Sequence, residues 1–142
     1  MKIIGLTGGI GSGKSSILNL FKKKNISCFN TDIISKKLMD NELKEKIKTL
    51  FGTDIYKNEE LNRKKISKIV FNDIEKLNKL NSIVHPAVRK NFTDFVKRNK
   101  NSRGFVIDGR DGVLPIEKTF AMNLKKQNKL TKFYHLHLRT EN

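Results

Sequence analysis

Eight residues near the start of the chain, Gly8-Gly9-Ile10-Gly11-Ser12-Gly13-Lys14-Ser15, follow the spacing G-x-x-x-x-G-K-S. Residues of these types at these intervals can cradle a phosphate. Glycines let successive backbone N–H groups turn inward without Cβ clashes, and a helix opening at Lys14 adds its positive dipole end. On this reading Gly11, Ser12, Gly13, Lys14, Ser15 and Ser16 form the phosphate cradle. Lys14 reaches the β- and γ-phosphates, and the Ser15 hydroxyl holds Mg²⁺. The alternative dinucleotide fingerprint G-x-G-x-x-G fails on spacing and leaves Lys14-Ser15 without a role. The motif predicts a nucleoside triphosphate as ligand.

A second chemistry-bearing residue is Asp32, which directly follows the short apolar run ending in Asn30-Thr31. A carboxylate at the carboxyl edge of a sheet is placed where ligands bind in open α/β folds. The structural alternative for Asp32 is a helix N-cap for the segment starting at Ile33. His135 and His137 alternate along a strand-like stretch, but no Cys, Asp or third His accompanies them, and a metal site is not expected there. The lone cysteine, Cys28, sits in the run Ile26-Ser27-Cys28-Phe29 and reads as a small buried hydrophobe, with no disulfide possible within the chain.

The elements that position these groups follow from periodicity. Lys2 to Thr7 reads as a buried strand, and Lys14 to about Lys24 as a helix with Ile17, Leu18, Leu20 and Phe21 on its apolar side. Asn25 to Asn30 reads as a second strand, so a right-handed crossover and a parallel sheet are expected. From Ile33 to Lys100 the pattern is helical and almost free of strand signals. Leu43, Ile47, Leu50 and Phe51 recur at helical spacing up to Gly52, and Leu61 to Phe71 forms a further helix. Asp73 to Val84 forms another, with Asn72 or Asp73 as the cap, and Pro86 is expected to open a separate helix carrying Val88, Phe92, Phe95 and Val96. Phe105-Val106-Ile107-Asp108 is a third strand; Ile116 to Lys126 has a helical pattern and Lys132 to Leu138 alternates like a strand.

The 142 residues bound the answer to one modest domain, with 37% apolar and 31% charged residues. No stretch approaches the roughly 18 apolar residues of a membrane span, and no signal peptide is expected ahead of a core strand. With a single cysteine, a reducing cytoplasm is the default. Thirty Lys+Arg against fourteen Asp+Glu give a formal charge of +16, which attracts polyanions in general. The basic residues are spread along the chain without an aromatic-interleaved stripe, so they read as solvated helix faces and not as a sequence-specific nucleic-acid surface.

Several motifs in order resemble the dephospho-CoA kinase family. Thr7 to Ser15 is similar to its opening, and Asn30-Thr31-Asp32-Ile33-Ile34 to its Asp-containing strand end. Leu50-Phe51-Gly52 is similar to its Phe-Gly segment, Glu60-Leu61-Asn62-Arg63 to its Leu-x-Arg helix start, and Leu77 to Arg89, through His85-Pro86, to its turn into His-Pro. The resemblance covers Met1 to about Asn101 and implies an α/β fold: a P-loop NTPase-type parallel sheet flanked by helices, with a helical acceptor-binding insertion. It divides one 142-residue domain into a nucleotide-binding start (1–32), a helical acceptor region (33–100), and a third strand with a divergent tail (101–142). It implies phosphorylation by Mg²⁺-ATP of the ribose 3′-hydroxyl of dephospho-CoA. Asp32 and Lys14 are then the catalytic residues, and Arg63, His85 and Arg89 bind the acceptor.

After about Ser102 the resemblance fades. A Pro-Leu-Leu-Phe-Glu-like stretch is expected, where this chain reads Asp108-Gly109-Arg110-Asp111-Gly112-Val113-Leu114-Pro115. The tail shows no Arg-bearing lid, and without lid arginines transition-state charge is poorly neutralised. Three explanations are open: a truncated or frame-shifted product, which is preferred; a shortened relative that keeps binding; or a tail that rebuilds a minimal sheet through Ile116 to Leu138. The sheet is accordingly expected to be incomplete. Two other functions also stay open: another P-loop kinase acting on a nucleoside or nucleotide, and a non-catalytic basic module that binds ATP or nucleic acid.

Overall fold

The computed structural model describes residues 3–8, 11–109 and 132–136. The expected helix over Ile116 to Lys126 and the residue His137 lie outside them. The chain forms two compact units, one of residues 1–32 with 92–142 and one of residues 33–91.

Among the described residues the first unit holds a four-stranded parallel sheet, made in order across it of β2 (Ser27–Asn30), β5 (Phe105–Gly109), β1 (Ile3–Gly8) and β6 (Lys132–Leu136). Central β1 pairs with β5 from Ile3↔Phe105 to Thr7↔Gly109 and with β6 from Ile4↔Lys132 to Gly8↔Leu136. β2 pairs with β5 from Ser27↔Phe105 to Asn30↔Asp108. The tail thus contributes a strand beside β1. Ile3, Leu6, Phe29 and all five residues of β5 are buried, which is why β1 and β5 read as continuous apolar runs. Phe29 meets Phe92 edge-on at 5.2 Å and Phe95 at 5.3 Å, and Phe95 meets Phe105 at 6.0 Å.

Helix α1 (Lys14–Lys23) ends in a Schellman motif: Ile26 N–H donates to Phe21 O and Asn25 N–H to Lys22 O. Asn25 occupies the left-handed position at φ 56°, a role its short polar side chain tolerates. The second strand therefore starts at Ser27, two residues later than the apolar pattern predicts. Leu20, expected on the apolar side of α1, is 57% exposed. At 100° per residue Ile17, Leu18 and Phe21 share one arc and Leu20 falls outside it.

The second unit holds most of α2 (Thr31–Asp40), α3 (Lys44–Phe51), a 3₁₀ turn at Thr53–Ile55, the two-residue strands β3 (Tyr56–Lys57) and β4 (Glu60–Leu61), α4 (Arg63–Phe71), and the first part of α5 (Ile74–Arg98). The β3–β4 hairpin is absent from the sequence expectation. Its turn residues Asn58 and Glu59 both take positive φ, 50° and 68°. That is the geometry of a tight hairpin turn, without the glycine that usually signals one. Asn62 caps α4 by accepting the Lys65 N–H at 3.1 Å. Asn62→Ala should cost about 1 kcal/mol, measured by urea denaturation.

Pro86 does not open a helix. It lies inside the unbroken 25-residue α5, which starts after Asp73, whose Oδ1 accepts the N–H groups of Glu75 and Lys76. Leu80, Val84, Val88 and Phe92 are buried at every fourth residue, straight through the proline. Pro86 and Ser82, whose carbonyl loses its N–H partner, are both exposed, so water can serve that carbonyl. Packing along one face overrides the local break.

Candidate nucleotide site

The loop between β1 and α1 delivers Lys14 to the carboxyl edge of the sheet. Gly11 and Gly13 adopt φ 79° and 78°, a left-handed backbone that favours glycine, and open space surrounds the position a Cβ would take on Gly13. No side chain caps α1, and its first turn carries no acidic residue. An uncapped helix start free of carboxylates is a favourable seat for an anion. Ser12 Oγ is buried and finds no hydrogen-bond partner among the described residues. Ser15 is exposed, and the Ser16 N–H already donates to Gly13 O at 3.1 Å. Gly9 and Ile10 lie outside the described residues.

Lys14 is the hinge of the electrostatics. Its ammonium donates to Gly109 O at 2.7 Å and Gly8 O at 3.4 Å, and it lies 3.2 Å from Asp108 Oδ1. The last contact is an ion pair without hydrogen-bond alignment, because Oδ1 accepts no hydrogen bond among the described residues. The Asp108 side chain is buried, at 6% exposure, and that of Lys14 is largely so, at 12%. Asp108 Oδ2 accepts the Asn30 amide at 2.7 Å, and Thr31 Oγ1 donates to Asp108 O at 3.0 Å. Sequence reading placed Asp108 at a strand end, as a carboxylate to orient Mg²⁺ through water, but gave it no bond to Lys14, and it missed Asn30.

Asp32 lies in the first turn of α2, two residues after β2, and is half-buried. The helix begins at Thr31, so Asp32 is inside it and not its N-cap. β5 separates β2 from β1, which sets the Asp32 strand end roughly 10 Å from the phosphate-loop strand, two inter-strand spacings.

The remaining predicted residues belong to the second unit. Arg63 donates to Asp40 Oδ2 at 2.7 Å and to Lys36 O at 3.4 Å, while Asp40 Oδ1 accepts the Leu61 N–H at 2.9 Å. Asp40 thereby fastens α2, β4 and α4 together. Beside it Tyr56 donates to Met39 O at 2.7 Å; burial first, and then the Asp40 charge, push its phenol up to about 12. An open cleft of about 640 Å³ in this unit is lined by Lys37, Asp40, Lys44 and Glu59 among others, and contains neither Lys14 nor Asp32.

His85 and Arg89 stand one turn apart on α5. His85 is 9% exposed, and its Nε2, like Asn81 Oδ1 one turn earlier, has no hydrogen-bond partner among the described residues. Burial first, and the Arg89 charge second, hold the imidazole below its ordinary value of 6.5. Because the unfolded chain protonates this histidine more readily, stability is complete above about pH 6.5 and declines as pH falls below it. Melting temperature should therefore drop on acidification from pH 7.5 to pH 5, and His85→Gln should flatten that slope. The carboxyls of Asp54, bonded to Lys65, and Asp73, bonded to the α5 amides, are held below 3.8 and act in a more acidic window.

A glycine-shaped loop running from a central parallel strand into a helix, with its lysine tied to the neighbouring strand, defines a P-loop NTPase-type fold. The family model described as dephospho-CoA kinase matches residues 2–122. The chain belongs to the dephospho-CoA kinase family. The match runs past Asn101, where the motif resemblance fades. Dephospho-CoA kinase of Mannheimia succiniciproducens is 46% identical over 91 residues, 62% of this chain and 42% of the relative. That of Chlorobaculum tepidum is 41% identical over 103 residues, 68% of this chain and 50% of the relative. That of Fusobacterium nucleatum is 41% identical over 108 residues, 75% and 55%. The chain spans about half the length of the curated relatives it matches. Among solved structures, the fold is shared with TT1252 from Thermus thermophilus, at TM-score 0.67 and 22% identity over 97% of this chain and 90% of that one. It is shared also with dephospho-CoA kinase from Campylobacter jejuni, at TM-score 0.61 and 17% identity over 99% and 90%.

No helix among the described residues is long and apolar enough to cross a membrane, and among them no group of three or more His, Cys, Asp or Glu is placed to hold a metal ion.

Proposed function

We propose that this chain transfers the γ-phosphoryl group of ATP to the ribose 3′-hydroxyl of dephospho-CoA, giving coenzyme A and ADP. The observation that carries the reading is the placement of Lys14. Its ammonium is held at the carboxyl edge by Gly8 O, Gly109 O and Asp108, at the mouth of an uncapped helix. Residues Gly11 to Ser16 take the triphosphate, with the Ser12 hydroxyl, which has no partner among the described residues, as a ready donor. Phosphoryl transfer asks for positioning and charge neutralisation more than covalent chemistry. The acceptor oxygen bonds to the γ-phosphorus as the bridging bond to the β-phosphate oxygen breaks. Asp32 takes the hydroxyl proton, and the electron pair leaves with ADP.

Magnesium suits the exposed Ser15 hydroxyl, a hard oxygen at the helix start, because this ion binds through few protein ligands and completes its shell with phosphate and water. When bound it neutralises charge developing on the phosphate oxygens. Arg63, His85 and Arg89 take the acceptor, the arginines through its phosphates. Within one kinase domain the helical region 33–100 serves as the acceptor region. A cytoplasmic setting is the default for a chain with one cysteine; Cys28, read from the sequence as buried, is half-buried, and what burial it has pushes its thiol up from 9.0.

The test is ADP release from Mg²⁺-ATP with dephospho-CoA or CMP offered separately. Turnover with dephospho-CoA alone supports the proposal. Turnover with CMP favours a nucleotide kinase, and ATP binding without turnover on either leaves a binding module. Steeply salt-dependent binding to RNA or DNA in place of ATP binding would point to the basic surface instead.

A further inference from the structure

Asp108 is a buried carboxylate whose two oxygens are divided between two partners. Oδ2 accepts the Asn30 amide at 2.7 Å, and Oδ1 faces the Lys14 ammonium at 3.2 Å. A carboxylate this deep is tolerated only when donors meet it. Asn30 is the last residue of β2 and stands directly opposite Asp108 in the register. The next residue, Thr31, is fully buried and bonds the Asp108 carbonyl, and the one after it is Asp32. Two neighbouring strand ends therefore join the lysine, the carboxylate and the helix turn that bears the base.

We propose that Asn30 is a positioning residue that acts through Asp108 on Lys14. Its amide occupies one carboxylate oxygen and fixes the plane of the group, so that a single oxygen engages the ammonium. Lys14 then remains free enough to exchange part of its contacts for a triphosphate. Without that donor the carboxylate turns both oxygens onto Lys14 and competes with the nucleotide. This inference rests on the reading of Lys14 as the phosphate-binding lysine.

The discriminating variant is Asn30→Asp. Two carboxyl groups at this separation share one proton. At low pH the introduced carboxyl is protonated and donates to Asp108 as the amide does. At higher pH it adds a negative charge beside Lys14 and the triphosphate. The charged or titratable groups brought against the pair are Lys14 from α1 and Cys28 from β2, with Asp32 following in α2. Mg²⁺-ATP affinity of the variant, measured by titration calorimetry, should be near wild type at about pH 6 and roughly tenfold weaker than wild type at about pH 8.5. Its melting temperature without nucleotide should fall relative to wild type over the same rise in pH. Asn30→Ala should lose affinity equally at every pH.

A loss in Asn30→Asp that ignores pH would show a merely structural role and overturn the proposal. So would Asn30→Ala binding ATP like wild type, or melting that follows pH while affinity does not. If the wild-type protein itself binds no ATP, the kinase reading falls and this inference with it. If wild type binds and the variants show no such pattern, only the inference falls.

Discussion

Lys14→Ala is expected to lower ATP turnover by roughly 10³-fold or more, because the proposed role of Lys14, a positioned cation at the transferring phosphoryl group, is lost. The same substitution should destabilise the fold by about 3–5 kcal/mol, since it leaves the Asp108 carboxylate buried without its counter-charge. The two effects separate in the double variant Lys14→Ala with Asp108→Asn, which removes the stranded charge. Stability should largely return, while turnover stays lost. Chemical denaturation and ADP release are the measurements. If Lys14→Ala melts like wild type, the buried pair contributes nothing net and its geometry is incidental. The prediction follows from burial on both sides: a surface pair would be worth at most about 1 kcal/mol.

The second large effect is expected at Asp32. Asp32→Asn keeps the shape and removes the proposed proton acceptor, so kcat should fall by about 10²–10⁴-fold. ATP affinity should hardly change, because the phosphate loop belongs to β1 and α1 while Asp32 belongs to the turn after β2. The intervening β5 sets the two strand ends roughly 10 Å apart, the gap in which the proposed reaction brings acceptor hydroxyl and phosphoryl group together. Equal losses of binding and transfer would contradict the assignment of a base and indicate that Asp32 holds the loop itself.

The glycine-rich loop, the strand that leads into it and the helical character of the middle of the chain were legible because each is written in a local pattern. The glycine spacing stands in eight consecutive residues, and the stripe Leu80-Val84-Val88-Phe92 repeats at helical period. Pro86 was misread because a proline at a first helical position and one on the exposed side of a continuing helix look alike over a few residues. Only the burial of Val84 and Val88 on either side of it decides. The β3–β4 hairpin was illegible for another reason: each strand is two residues long, and Asn58-Glu59 lacks the glycine that marks such turns. The contacts of Lys14 with β5 lie furthest from any local signal. Gly109 is 95 residues away, and only the strand order brings it beside β1. Asn30, ordinary in sequence, gains meaning only opposite Asp108.

That strand order also bears on how the molecule comes into being. β1 and β2 are never hydrogen-bonded neighbours; each waits for β5, whose partner atoms lie 78 residues beyond Asn30. Contacts so distant in sequence demand that a long span be closed before any ladder forms, and such topologies assemble slowly. During synthesis the helices of residues 33–91 can leave the ribosome and gather while β1 is still solitary. The β2-β5-β1 part of the sheet then forms late, when Phe105–Gly109 emerges, and β6 joins β1 only once Lys132–Leu136 follows. Nascent chains halted short of β5 should be open to protease throughout Ile3–Asn30, and those halted beyond it with β5 free of the exit tunnel should not.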